Sequence, residues 1–114
     1  MSARSRRGFH ARKAYAPVFA ALGDETRLAL ISKLGHRRCR SISQLAQGSR
    51  LTRQAITKHL RVLENAGIVR NLRKGRESLF ELEPRPIEDL KTYLDHVSKR
   101  WDDALVRLKS LVED

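Results

Sequence analysis

Between Ser41 and Gly67 the chain carries two apolar-periodic stretches separated only by Gly48-Ser49-Arg50, and this block constrains the fold most. In the second stretch Ile56, Leu60 and Leu63 recur at spacings of four and three, which is the buried face of a helix and not of a strand. The pattern predicts a short helix over about 43–48, a turn at 48–50, and a longer helix over about 52–66. Gly67 followed by Ile68 fits a left-handed stop of the Schellman type at the end of the longer helix.

Upstream, residues 13–22 read as a short helix with Pro17 in its first turn and Tyr15, Val18, Phe19 and Leu22 as its apolar side. Gly23 ends it and Asp24 is a natural N-cap for a second helix through about Leu34, with Leu28, Ile31 and Leu34 facing inward. Gly35 and the basic run His36-Arg37-Arg38 close that helix, the cations complementing its C-terminal dipole. Downstream, Ile68–Arg73 and Glu77–Glu83 read as two strands joined at Lys74-Gly75, and a long last helix begins near Pro86. The expected domain plan is a basic, disordered tail over 1–12, a region of helices and hairpin over 13–85, and a last helix of the same domain over 86–114.

Two helices joined by a glycine-containing turn of three or four residues form a helix-turn-helix, whose second helix can enter the major groove. With Ile56, Leu60 and Leu63 buried, that helix is left with Arg53, Gln54, Thr57, Lys58 and Arg61, and with Thr52 and His59 nearby. Gln bonds adenine bidentately, Arg bonds guanine, and Thr and Lys reach phosphate or base edges. The face carries no carboxylate before Glu64, whereas an ordinary solvated helix mixes signs. Arg70, Arg73, Lys74 and Arg76 crowd the first strand and tip of the hairpin, suiting a wing against backbone phosphates, with Leu79, Phe80 and Leu82 anchoring it.

The charge distribution agrees. Of the net +11, residues 1–13 carry +5 and residues 14–85 carry +8, while residues 86–114 carry −2. A polyanion surface therefore belongs to the tail and middle, and the C-terminal segment has another task. Its apolar residues follow a heptad: Ile87, Leu94, Trp101 and Leu108 at one position, Leu90, Val97, Ala104 and Leu111 at the other, with Leu105 and Val112 widening the stripe. A helix of about 27 residues is about 40 Å long, more than a small domain needs for its own core, and this predicts a partner helix.

The stretches Phe19–Ile31, Leu51–Val69 and Lys74–Glu77 resemble the ArsR/SmtB family of prokaryotic winged-helix repressors, over about residue 15 to the C-terminus. The resemblance implies a mainly α, winged helix-turn-helix fold with a small β-hairpin. It also implies a homodimer through the first and last helices that represses a promoter by binding an imperfect inverted repeat. It puts Gln54, Thr57, Lys58 and His59 on the DNA-facing stretch and brings Tyr15 and Phe19 beside the seam of the last helix. Many members sense metal through a Glu-Leu-Cys-Val-Cys-Asp-Leu stretch; here Cys39–Leu45 aligns, with Ser41 and Ser43 at both cysteine positions and Gln44 in place of the acid. Serine hydroxyls are poor ligands for thiophilic metals, and Cys39 alone cannot close a site. A second family site uses His and carboxylates on the last helix, but Asp95 and His96 lack a matching partner further on.

The expectation is thus a cytoplasmic, non-enzymatic DNA-binding regulator with no cofactor, no metal and no membrane association, its effector unknown. A metal- or thiol-responsive repressor of the same fold is the alternative, disfavoured by Ser41 and Ser43. An RNA-binding basic protein is disfavoured because the aromatics fall at core or seam positions and not on a stacking platform. An enzyme would need a nucleophile elbow, phosphate loop or paired carboxylates, and none is evident.

Overall fold

The computed structural model describes residues 3–35 and 38–113, with side-chain surroundings from residue 12 onward. The order is α1 (Ala3–Leu22), α2 (Glu25–Leu34), β1 (Cys39–Ser41), α3 (Ile42–Ala46), α4 (Arg53–Asn65), β2 (Val69–Lys74), β3 (Glu77–Leu82) and α5 (Pro84–Glu113). The strands form one antiparallel sheet in the order β1-β3-β2. Helices and sheet enclose one core, in which Leu34, Leu45, Ile56, Leu60, Leu63 and Ile68 are fully buried.

Local chemistry explains most boundaries. The Asp24 carboxylate accepts the Arg27 backbone N–H at 3.0 Å and starts α2. Ser41 and Gln44 form a reciprocal capping box on α3: the Ser41 hydroxyl accepts the Gln44 N–H and the Gln44 Oε1 accepts the Ser41 N–H. At the end of α4, Ile68 N–H donates to Leu63 O and Gly67 N–H to Glu64 O, both at 2.9 Å, with Gly67 at φ 78°. These are the two bonds of a Schellman stop. They turn the chain directly into β2, so the wing's position follows from the end of α4.

Several expectations shift. The first helix begins at Ala3, not after the expected disordered tail over 1–12, and Pro17 lies inside it and not in a first turn. Ala and Arg are good helix formers, so a polar, Arg-rich composition does not by itself prevent a helix. Leu28, expected inward, is 49% exposed, because Leu30 and Leu34 take the buried side of α2. The short strand β1 has no signal in the sequence pattern; it exists only because β3 offers its free edge, pairing Arg40 with Phe80. The last helix starts at Pro84, two residues before Pro86, and runs for 30 residues. His36 and Arg37, expected to help close α2, lie outside the described residues.

Gly67→Ala tests the α4 stop. A Cβ there would meet Pro86 Cγ at 3.8 Å, an ordinary contact, so the penalty is the left-handed backbone alone. The expected loss is about 1–2 kcal/mol in urea unfolding, with an unchanged m-value.

Candidate nucleic-acid interface

Burial of Ile56, Leu60 and Leu63 on one side of α4 forces Arg53, Gln54, Thr57, Lys58 and Arg61 onto the other. Together with Ile42 of α3 these residues line one shallow concave surface. Among the described residues Arg53, Lys58 and Arg61 have no carboxylate within 4 Å, so their charges are unspent. Thr52 sits at the edge as the N-cap, its hydroxyl accepting the Ala55 N–H at 3.1 Å. Thr57 donates its hydroxyl to Arg53 O at 2.8 Å, which leaves its methyl and oxygen lone pairs for a partner.

His59 does not join this surface. It flanks the buried stripe and is directed at the start of α2, with its side chain only 25% exposed. Its Nδ1 lies 3.4 Å from Arg27 Nη1 and 3.8 Å from Asp24 Oδ2. Arg27 in turn donates Nε to Ala21 O at 2.6 Å and Nη2 to Ala20 O at 3.3 Å. One guanidinium thereby ties the last carbonyls of α1 to a side chain of α4. Sequence reasoning misses Arg27, since nothing in the local pattern of α2 signals a partner 32 residues away.

In the wing, β2 and β3 meet through a two-residue turn, Gly75-Arg76, with Lys74 opposite Glu77. Gly75 at φ 65° meets the positive-φ requirement of the primed turns that close such hairpins. Arg73, Lys74 and Arg76 are exposed. Arg73 and Arg76 line a recess with Asn71 and Ser78, the latter two joined by a 2.8 Å hydrogen bond. Arg70 behaves otherwise: it donates Nη2 and Nε to Glu81 Oε2 at 3.0 and 3.3 Å, with Glu83 at 3.9 Å. That hydrogen bond and the carboxylate charges raise its pKa, and its charge is paired within the sheet.

The expected seam divides in two. Leu90, 5% exposed, belongs to the protomer's own core, and Ile87 packs against it. These two are therefore not free for a partner. Tyr15 and Phe19 pack on Tyr93 of α5, with ring centroids 5.0 and 6.3 Å apart; Tyr93 lies outside the heptad positions, so the stripe does not reveal it. Val97 is half-buried, whereas Leu94, Trp101, Leu105, Leu108 and Leu111 are exposed, Trp101 by 66% and Leu111 by 77%.

A three-stranded winged sheet beside a helix-turn-helix whose exposed α4 face carries unpaired cations defines a winged helix-turn-helix DNA-binding protein. A helix-turn-helix domain family matches residues 22–71. The HTH-type transcriptional regulator YuzN of Bacillus subtilis is 37% identical over 64% of this chain and 86% of its own length. The HTH-type transcriptional regulator Rv2034 of Mycobacterium tuberculosis is 31% identical over 84% of this chain and 86% of its own. The structure of an ArsR-like transcriptional regulator from Rhodococcus sp. RHA1 superposes with a TM-score of 0.83 at 33% identity, covering 92% of this chain and 95% of that one. The chain belongs to the ArsR family of helix-turn-helix transcriptional regulators. It is a DNA-binding regulator and not an enzyme.

The Asp24 cap has a pH signature. The Arg27 backbone hydrogen bond, and behind it the charges of Arg27 and His59, hold this carboxyl below the usual 3.8. Its folded pKa lies below the unfolded one, so its stabilisation is present above the unfolded value and is lost as pH falls through the folded value. Thermal unfolding of Asp24→Asn across the acid range is expected to show a shallower fall in Tm below about pH 4 than the parent chain, since the amide keeps the cap but cannot titrate. An identical acid limb in both proteins would exclude the linkage.

Proposed function

We propose that the chain is a homodimeric repressor that reads an inverted-repeat operator, one α4 in each of two successive major grooves. The observation that carries this reading is the exposed face of α4, where Arg53, Gln54, Thr57, Lys58 and Arg61 share one concave surface with no carboxylate paired to it among the described residues. Gln54 and the arginines have the donor and acceptor geometry for base edges, and Lys58 suits phosphate. Thr52 starts the helix and so sets where its first residues fall. Arg73, Lys74 and Arg76 at the wing tip contact the backbone of the flanking groove. His59 positions the helix from behind and is not a reader.

The dimer reading rests on the outer half of α5. A 30-residue helix with one buried residue leaves its apolar stripe uncovered, and the chain measures 66 Å along its longest axis against 22 Å along its shortest. Leu94, Trp101, Leu105, Leu108 and Leu111 then form a self-complementary surface of the kind a two-fold interface requires, continued by Phe19 and Val97. We infer no metal response at α3, where the resemblance would put its ligands. Ser41 and Gln44 are there engaged in capping each other's backbone. A cytoplasmic location accompanies this function.

Gel-shift titrations separate the two kinds of contact. Gln54→Ala is expected to lower operator affinity by about 1–3 kcal/mol and to relax preference at one base position per half-site. Neutralising Arg73, Lys74 and Arg76 together should weaken all sequences alike and flatten the dependence of log affinity on log salt by about 1 for each phosphate left without its cation. A Gln54→Ala protein that binds as tightly and as selectively as the parent would refute the assignment of α4.

Sedimentation tests the seam. Leu94→Glu with Leu108→Glu removes two exposed apolar side chains and disturbs no protomer core, so the fold should survive as a monomer. Operator affinity should then fall toward the non-specific level, because one helix-turn-helix covers only a half-site. A double variant that stays dimeric would move the seam elsewhere.

A further inference from the structure

Behind α3, away from the reading face, three cationic side chains converge on one recess. It is lined by Lys33 in the last turn of α2, Arg38 and Arg40 in and before β1, and Gln44 and Gln47 on and just after α3. No carboxylate lines it, and among the described residues neither arginine has one within 4 Å.

The donors are largely held in place. Lys33 Nζ donates to Leu45 O at 3.1 Å and to Gln47 O at 3.2 Å, which fixes the ammonium and leaves it a third proton. The Gln44 Oε1 is taken by the Ser41 N–H at 2.9 Å, so what the carboxamide has left to offer is its NH2. Arg40 Nε is enclosed and has no acceptor among the described residues. A buried donor without a partner is costly, and an arginine in that state gains by turning toward any oxygen within reach. Lysine and arginine offer donors only, so the partner that satisfies this set is an anion with several acceptor oxygens.

The recess stands apart from the α4 concavity. Gln44 and Gln47 lie roughly 140–200° around the helix axis from Ile42, and Ile42 borders the α4 concavity. The two recesses share no residue. A duplex seated on α4 would have to bend around α3 to reach this recess, at the elastic cost of deforming the duplex.

We propose that this recess binds a small tetrahedral dianion of the phosphate class, with inorganic phosphate as its simplest member. Arg38 and Arg40 supply forked donors to its oxygens, Lys33 supplies a point charge, and Gln44 supplies a neutral donor. Lys33 also connects the site to the turn before α4, since both carbonyls it holds stand at the end of α3.

The test is a titration of the full chain with potassium phosphate, followed by 1H–15N correlation spectra, at constant ionic strength against potassium chloride. Saturable shifts are expected at the amides of Lys33, Arg40 and Gln44. Arg38→Gln with Arg40→Gln should lower the affinity by about tenfold or more, as loss of charged hydrogen bonds implies. Arg38→Gln alone, at an exposed position, should lower it several-fold without disturbing the fold, and this guards against unfolding of the double variant. Shifts that track ionic strength alone, or that are largest on α4 or the wing, would overturn the site. Unchanged phosphate affinity in a folded Arg38→Gln protein would overturn it equally.

Discussion

The structure depends on the burial of one narrow stripe of α4. Ile56, Leu60 and Leu63 are each wholly removed from water, and each contributes about 1.5–3 kcal/mol by that removal. In a helix a stripe of this width fixes rotation about the axis as well as attachment to the core. Once it is buried, the direction of every other α4 side chain is settled, and the basic and amide residues can only face outward together. The basic and amide face of α4 is thus a consequence of core packing.

Polar contacts then fix how that helix sits against its neighbours. Arg27 donates to the terminal carbonyls of α1 and approaches His59 on α4, while Asp24 caps α2 from the same cluster. Ala20 O also accepts the Gly23 N–H at 3.2 Å, so a turn bond and Arg27 together hold the end of α1. Because α1 also stacks Tyr15 and Phe19 on Tyr93, the long helix α5 is joined to the same cluster through α1 as well as through Leu90 in the core. At the other end, the Schellman stop at Gly67 passes the chain into β2, so the wing takes its origin from the same helix.

Charge is organised by the same packing. The wing keeps Arg73, Lys74 and Arg76 exposed, yet Arg70, two residues before Leu72 on the same strand, is neutralised by Glu81 across the ladder. Register accounts for the two arginines, since Arg70 stands directly opposite Glu81 and Arg73 opposite Ser78; Lys74 stands opposite Glu77 but has no carboxylate within 4 Å among the described residues.

Periodicity and local caps are legible in the chain itself. The α4 stripe, the Asp24 cap, the Gly67 stop, the hairpin around Gly75 and the heptad of the last helix all arise from interactions within a few residues, which a sequence displays directly. The polar reading face of α4 follows from the same pattern, as the complement of its apolar one. What depends on residues distant in the chain is not legible. β1 forms only against the free edge of β3, His59 turns inward because Arg27 and Asp24 stand beside it, and Arg70 pairs its charge with Glu81 on the facing strand. Likewise the heptad shows that α5 has an apolar stripe, but packing against α1 and the core decides that Ile87 and Leu90 are used within the protomer while Trp101 and Leu111 remain exposed. Local propensity determines which surfaces a chain possesses, and only the tertiary structure decides which of them are already occupied, because occupation is set by neighbours that the sequence does not place side by side.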